Sequence, residues 1–79
     1  MKEERENYRD DDLIEAVNRF KRSLISGRTK YFDVAEFESI VEQLLEEGDY
    51  KGSKIAAEQG IHIHPNAVTL QLKYAQVLI

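Results

Sequence analysis

The sequence contains no cysteine, no tryptophan and only one proline among its 79 residues. The lack of cysteine excludes disulfide bonds, thiolate-bound zinc, iron–sulfur clusters and a cysteine nucleophile. No run of about 18 apolar residues is present, so the sequence predicts no membrane-spanning helix. The first residues are polar and mixed in charge, unlike a secretory signal peptide. We therefore expect a cytoplasmic location.

Length and charge further limit the class of protein. A chain of this length forms at most one small domain, and 42% hydrophobic with 33% charged residues is typical of a sequence that folds. Fifteen acidic residues against eleven basic ones give a net charge of −4. This sign of charge disfavours nucleic acid and anionic membrane surfaces as partners.

Apolar residues recur at helical spacing in four segments, and no segment has the alternation of a strand. The first predicted helix, over residues 12–26, has its apolar stripe at Leu13, Val17, Phe20 and Leu24, widened by Ile14 and Ile25. Asp12 and Glu15 have the spacing of a capping box at its start. Gly27 is placed to end it.

The second predicted helix has the clearest start signal in the sequence. Asp33 and Glu36 have capping-box spacing, while Phe32 and Phe37 have the spacing of a hydrophobic staple. Gly48 is placed to end this helix. Its apolar positions are Val34, Phe37, Ile40, Val41, Leu44 and Leu45.

The third and fourth predicted helices differ in character. Asp49 is expected to cap the third, from residue 50 to about 61, whose predicted inner face is Tyr50, Ser53, Ile55, Ala56, Ala57 and Gly60. Pro65 ends that segment, and Asn66 is expected to cap the fourth helix. The fourth is apolar on nearly every side and lacks a polar last turn. We expect either that the chain is the N-terminal part of a longer protein or that this helix is buried in a homodimer.

A repeat becomes visible when the second helix is compared with the fourth at a shift of 34 residues. The shift pairs Phe37 with Gln71, Ile40 with Tyr74, Val41 with Ala75 and Leu44 with Leu78. Together with Gly48-Asp49-Tyr50 at the turn and Pro65 at the close, residues 34–66 resemble one tetratricopeptide repeat. The sequence departs from the family pattern at Val41, Ser53, Ala57 and Gly60.

The resemblance implies an all-α fold of about four helices, arranged as an antiparallel helix-turn-helix solenoid. It divides the chain into a polar tail (1–11), a capping helix with its connection (12–32), one repeat (33–66) and the first helix of a second, truncated repeat (67–79). The first helix lies outside the repeat pattern. We interpret it as a cap that covers the open face of the first repeat.

No pattern in the sequence indicates catalysis or a cofactor. His62 and His64 alone are too few ligands to hold a metal ion. We expect both to be turn residues whose rings reach the solvent. Glu38 and Glu42 lie one helical turn apart, which is more typical of a solvated face than of an acid–base pair. Ser53 has no histidine partner and no phosphate-binding glycine loop is present. We expect no metal, no cofactor and no enzymatic activity.

The resemblance implies a non-catalytic scaffold that binds a protein or peptide partner. The family binds along the first helices of its repeats, which here gives the candidate positions Ala35, Glu38, Glu42, Leu45, Thr69, Leu72 and Gln76. Acidic Glu38 and Glu42 favour a basic partner. The alternative is a homodimerisation module that uses Tyr74, Val77, Leu78 and Ile79. An enzyme is the most distant of the three hypotheses.

Overall fold

The computed structural model describes the backbone of residues 2–27 and 31–79, and the side chains of residues 12–27 and 31–79. Within these residues the chain forms helices and no strand. The helices are α1 (Lys2–Ser26), α2 (Val34–Glu46), α3 (Tyr50–Ile63) and α4 (Val68–Leu78). The prediction of an all-α fold with about four helices is confirmed.

Helix α1 begins at Lys2, well before the predicted start at residue 12. Asp12 therefore lies inside the helix, and the prediction that Asp12 and Glu15 form a capping box is wrong. The reason is visible in the composition of the first residues. They are rich in Lys, Glu and Arg, which are strong helix formers, so the helix continues without an apolar face.

The buried face of α1 is rotated from the predicted stripe. Its buried residues are Ala16, Val17, Phe20 and Ser23, while Leu13 packs at the edge of the core. Leu24 lies at the rim, and Ile14 and Ile25 are exposed, Ile25 at 87% of its surface. The prediction that these two isoleucines widen the stripe is wrong. The Ser23 hydroxyl donates a hydrogen bond to the Phe20 carbonyl (2.6 Å), which offsets the cost of its burial.

Both start signals of α2 are confirmed. The Glu36 N–H donates to the Asp33 carboxylate (2.8 Å), and the Asp33 N–H donates to the Glu36 carboxylate (3.0 Å). The rings of Phe32 and Phe37 meet edge to face with centroids 5.4 Å apart. The helix ends before Gly48, whose φ of +81° lies in the left-handed region that favours glycine. The core residues of α2 are Phe37, Ile40, Val41 and Leu44.

Helix α3 buries only small residues, which lets it approach its neighbours closely. They are Gly52, Ser53, Ala56, Ala57 and Gly60. A Cβ atom at Gly60 would lie 3.1 Å from both Leu70 Cδ1 and Phe37 Cγ, so α3 lies against α2 and α4 together at this point. Tyr50, predicted on the inner face, is 66% exposed, and Gly52 is buried instead. Asp49 caps the helix as predicted, accepting from the Gly52 N–H (2.9 Å).

Helix α4 begins without a side-chain cap. Ala67 is its N-cap residue, so the prediction that Asn66 caps this helix is wrong. A turn across the proline replaces the cap, with the Ala67 N–H donating to the His64 carbonyl (3.1 Å). The Gln71 amide donates to the Pro65 carbonyl (2.9 Å) and holds the turn against the helix. Leu70 is the fully buried residue of α4.

An aromatic cluster centred on Phe32 joins the first three helices. The Arg19 guanidinium of α1 lies 4.8 Å above the Phe32 ring, a cation–π contact. The Phe32 carbonyl is 2.8 Å from His64 Nε2 at the end of α3. The His64 ring in turn meets Tyr31 and Phe37 edge to face. Tyr31 and Phe32, which precede α2, are thus held by groups from three helices.

The N-caps of α2 and α4 should contribute differently to the free energy of unfolding, and this difference can be measured. We expect Asp33→Ala to lower the free energy of unfolding by about 1 kcal/mol, because it removes a capping box. Asn66→Ala should change it by less than about 0.5 kcal/mol, because the Asn66 side chain makes no cap bond. Urea unfolding followed by circular dichroism at 222 nm measures both values. Equal losses in the two variants would contradict the assigned cap of α4.

The close approach at Gly60 gives a second expectation. Valine is a better helix former than glycine, so any loss of stability in Gly60→Val must come from packing. We expect a loss of about 1–3 kcal/mol, because the added atoms overlap Phe37 and Leu70. Lys54→Val is the matched control on the exposed side of α3 and should lose less. A Gly60→Val protein as stable as the parent in the same urea assay would show that α3 stands further from its neighbours.

Candidate interaction surface

Helices α2 and α4 pack side by side and are joined by an ion pair between Glu42 and Lys73. The Lys73 side chain is mostly covered, at 20% exposure, whereas that of Glu42 remains 57% exposed. The ammonium group is therefore held between the two helices while the carboxylate faces the solvent. We call the line along which the two helices meet the α2–α4 seam.

The residues predicted to bind a partner lie along this seam. Glu38 and Leu45 are within one helical turn of Glu42, while Thr69 and Gln76 are within one turn of Lys73. Ala35, Glu42, Thr69, Leu72 and Gln76 are exposed, whereas Glu38 and Leu45 are half-buried. Leu45 also packs against the core, so it contributes to stability as well as to the surface. The ion pair thus brings together residues from two separate segments of the chain.

Several acids of α2 have a partner within the molecule. Glu36 belongs to the capping box, Glu42 pairs with Lys73, and Glu47 accepts from Lys21 (3.5 Å) and Gln43 (3.1 Å). Glu38 and Glu46 have no ion pair or hydrogen bond with any residue that the structure describes. They are the carboxylates beside the seam that remain available to an external cation.

The four residues predicted for self-association do not share one surface. Tyr74 and Val77 are half-buried and pack against the core, whereas Leu78 and Ile79 are exposed. The prediction that all four are exposed holds for Leu78 and Ile79 and is wrong for Tyr74 and Val77, which pack against the core. The exposed apolar residues that the sequence analysis missed are Val68 and Ala75. Their spacing relative to Leu72 and Ile79 was a signal that could have identified them.

A hydrogen bond from the Tyr74 hydroxyl to the Glu58 carboxylate (3.0 Å) ties α4 to α3. This bond raises the pKa of Tyr74 above the ordinary 10.0, with partial desolvation and the charge of Glu58 acting in the same direction. The carboxylate stabilises the protonated phenol and repels the phenolate. Tyr74 therefore contributes to holding α4 in position over the whole neutral range.

The two histidines occupy different environments. His62 is exposed in the last turn of α3, as predicted. His64 is half-buried, and its ring is held by the Phe32 carbonyl and the aromatic cluster, so the prediction of a solvent-reaching ring is wrong for this residue. Among the residues that the structure describes, no three His, Asp or Glu side chains are grouped closely enough to hold a metal ion.

A cleft of about 280 Å³ lies between α1 and α2. Its lining residues are Asp12, Leu13, Glu15, Ala16, Arg19, Glu36 and Ser39. Arg19 and Glu36 already have structural roles, in the contact with Phe32 and in the capping box. The cleft is therefore part of the packing of α1 on α2, with Asp12, Glu15 and Ser39 as its remaining polar groups.

In the described part of the chain, no helix combines the length and apolar composition needed to cross a membrane. Comparison with models of known protein families, with curated proteins and with solved structures finds no match to this chain.

The bond between Tyr74 and Glu58 predicts a pH dependence. A tyrosine whose pKa is raised by folding contributes stability below its unfolded pKa and loses it as the pH rises through the folded pKa. Titration of absorbance at 295 nm in the parent and in Tyr74→Phe isolates this group among the four tyrosines. In Glu58→Gln the titration of Tyr74 should move down toward pH 10, because the charged acceptor of its hydrogen bond is removed. An unchanged titration in Glu58→Gln would contradict the contact.

Proposed function

We propose that this protein is a non-catalytic scaffold that binds a protein or peptide segment along the α2–α4 seam. The observation that carries the proposal is the ion pair between Glu42 and Lys73. It places exposed residues of two helices, separated in sequence by the whole of α3, on one surface. A seam between two packed helices offers a partner a longer contact than a single helix face does.

The arrangement of the helices supports a tetratricopeptide-like organisation. Helices α2 and α3 form a hairpin whose turn includes Gly48 and Asp49, and Pro65 follows the end of α3. Helix α4 packs against both helices of this hairpin, as the first helix of a following repeat would. In this proposal α2 and α4 are the equivalent helices that line the binding surface, and α1 is the cap.

The chemistry of the seam favours a partner with basic and apolar residues. Glu38 and Glu46 lie about two turns apart along α2. They have no partner among the described residues, so they are available to Lys or Arg. Leu72 provides an exposed apolar contact on α4. The net charge of −4 adds a long-range attraction for a basic segment. We further propose a cytoplasmic location, since the sequence contains none of the cysteines from which small secreted domains commonly form disulfide bonds.

The proposal can be tested with three fluorescein-labelled peptides of about 12 residues. One alternates short runs of Lys and Leu, and the other two replace Lys by Glu or by Gln. Fluorescence anisotropy at low and at high salt measures the affinity of each. We expect the Lys peptide to bind most tightly and to lose affinity as salt rises, because the surface carboxylates are screened.

Charge-neutralising variants locate the binding site. Glu38→Gln combined with Glu46→Gln should weaken binding of the Lys peptide by about fivefold or more, a change of about 1 kcal/mol. The matched control is Asp12→Asn combined with Glu15→Gln on α1, which removes the same charge and should change affinity by less than about twofold. Equal weakening in both double variants, or equal binding of the Glu peptide, would refute the seam as a specific site.

A further inference from the structure

The outward face of α4 carries a continuous apolar stripe. Val68 is 63% exposed, Leu72 is 60% exposed, and Ala75 and Ile79 are also exposed. These four residues, here called the α4 stripe, lie on the side of the helix opposite to buried Leu70 and half-buried Val77. Packing in the core therefore does not explain why these four residues are apolar, since α4 contacts α2 and α3 through its other side.

No side chain of the α4 stripe is charged, and the exposed side chains that flank it on α4 are uncharged as well. The one charged residue of α4 is Lys73, which is mostly covered and paired with Glu42. The polar residues next to the stripe are Thr69 and Gln76, which are uncharged. By contrast, the exposed Ile14 and Ile25 of α1 share their side of the helix with Lys21 and Arg22. Among the described helices, α4 is the one that presents an uncharged apolar face.

The spacing within the stripe matches the seam of a coiled coil. Its steps of four, three and four residues are those of the apolar positions in a heptad repeat. Two such helices can interdigitate over about three turns. Ala75, the small residue of the stripe, leaves room for a side chain of the facing helix.

We propose that two copies of this chain associate by packing α4 against α4 through this stripe. In a contact between identical surfaces, each group meets the same kind of surface on its partner, so charged faces repel and uncharged faces do not. A contact through α2 would place its exposed acids Glu42, Glu46 and Glu47 opposite the same acids of the second copy, which disfavours it. The α4 stripe allows contact without placing like charges opposite one another.

The area of the stripe indicates a weak dimer. Each aliphatic side chain removes on the order of 100 Å² from water when it is covered. The stripe with Leu78 and the flanking polar atoms amounts to about 500 Å² per copy, below the roughly 800 Å² per partner of a standard interface. The expected dissociation constant is on the order of 10–100 µM. The proposal does not rest on the peptide-binding function. The stripe shares Leu72 with that surface and adjoins it at Thr69 and Gln76.

Sedimentation equilibrium of the whole chain between about 5 and 500 µM tests the proposal. We expect a reversible equilibrium between monomer and dimer that added salt does not weaken, since no ion pair is required and salt screens the repulsion between the net charges. Ala75→Glu, which places negative charges at the centre of the contact, should weaken association by about tenfold or more. Val68→Ser removes apolar area without adding charge and should weaken it by about threefold.

The matched control is Asn18→Glu, which adds the same charge at an exposed position of α1 and should change association by less than about twofold. Circular dichroism verifies that each variant is folded, and Val68→Ser carries the test if Ala75→Glu is not. A chain that remains monomeric up to the highest concentration would overturn the proposal. So would growth into assemblies larger than a dimer, or unchanged association in the folded stripe variants.

Discussion

The burial of Phe32 is the constraint on which the arrangement of the helices depends. Phe32 directly precedes Asp33, the N-cap residue of α2. Its ring packs under Arg19 of α1 and against Phe37 of α2, and its carbonyl is hydrogen-bonded to His64 at the end of α3. A single residue in a connection thereby fixes three helices whose individual apolar faces are modest. In a chain this short the core is small, so a residue that contacts three helices accounts for a large share of the packing between them.

The small residues of α3 transmit that constraint to α4. Gly60 has no side chain, so α2 and α4 approach the α3 backbone closely at this position. Leu70 of α4 and Phe37 of α2 both contact α3 there. Helix α4 is held there by Leu70, by the bond from Tyr74 to Glu58 and by the ion pair from Lys73 to Glu42. Each of these contacts uses one side of α4. The other side, with Leu72 at its centre, is consequently turned to the solvent.

The sequence indicated which segments are helical but was less informative about which way they face. The caps at Asp33 and Asp49, the staple between Phe32 and Phe37 and the stop at Gly48 follow from local rules, and local rules were sufficient there. The orientation of α1 and α3 depends on neighbours distant in sequence, so hydrophobicity alone assigned Ile14 and Ile25 of α1 and Tyr50 of α3 to the core. His64 was misplaced for the same reason, since its partner is the carbonyl of Phe32. At Asn66 a backbone turn took the role that a side chain usually has.

The two surfaces that adjoin Leu72 differ in the forces that act on them. The seam has carboxylates in solvent, where attraction extends over about a Debye length and is weakened by salt. The stripe has aliphatic side chains and no charge, so its contacts depend on area removed from water, and excluded salts such as sulfate strengthen them. Lys73 is the one charged residue of α4, and its ion pair with Glu42 lies on the seam rather than on the stripe. The two surfaces meet at Thr69, Leu72 and Gln76, so occupation of one restricts access to the other there, and ionic strength shifts the balance between them.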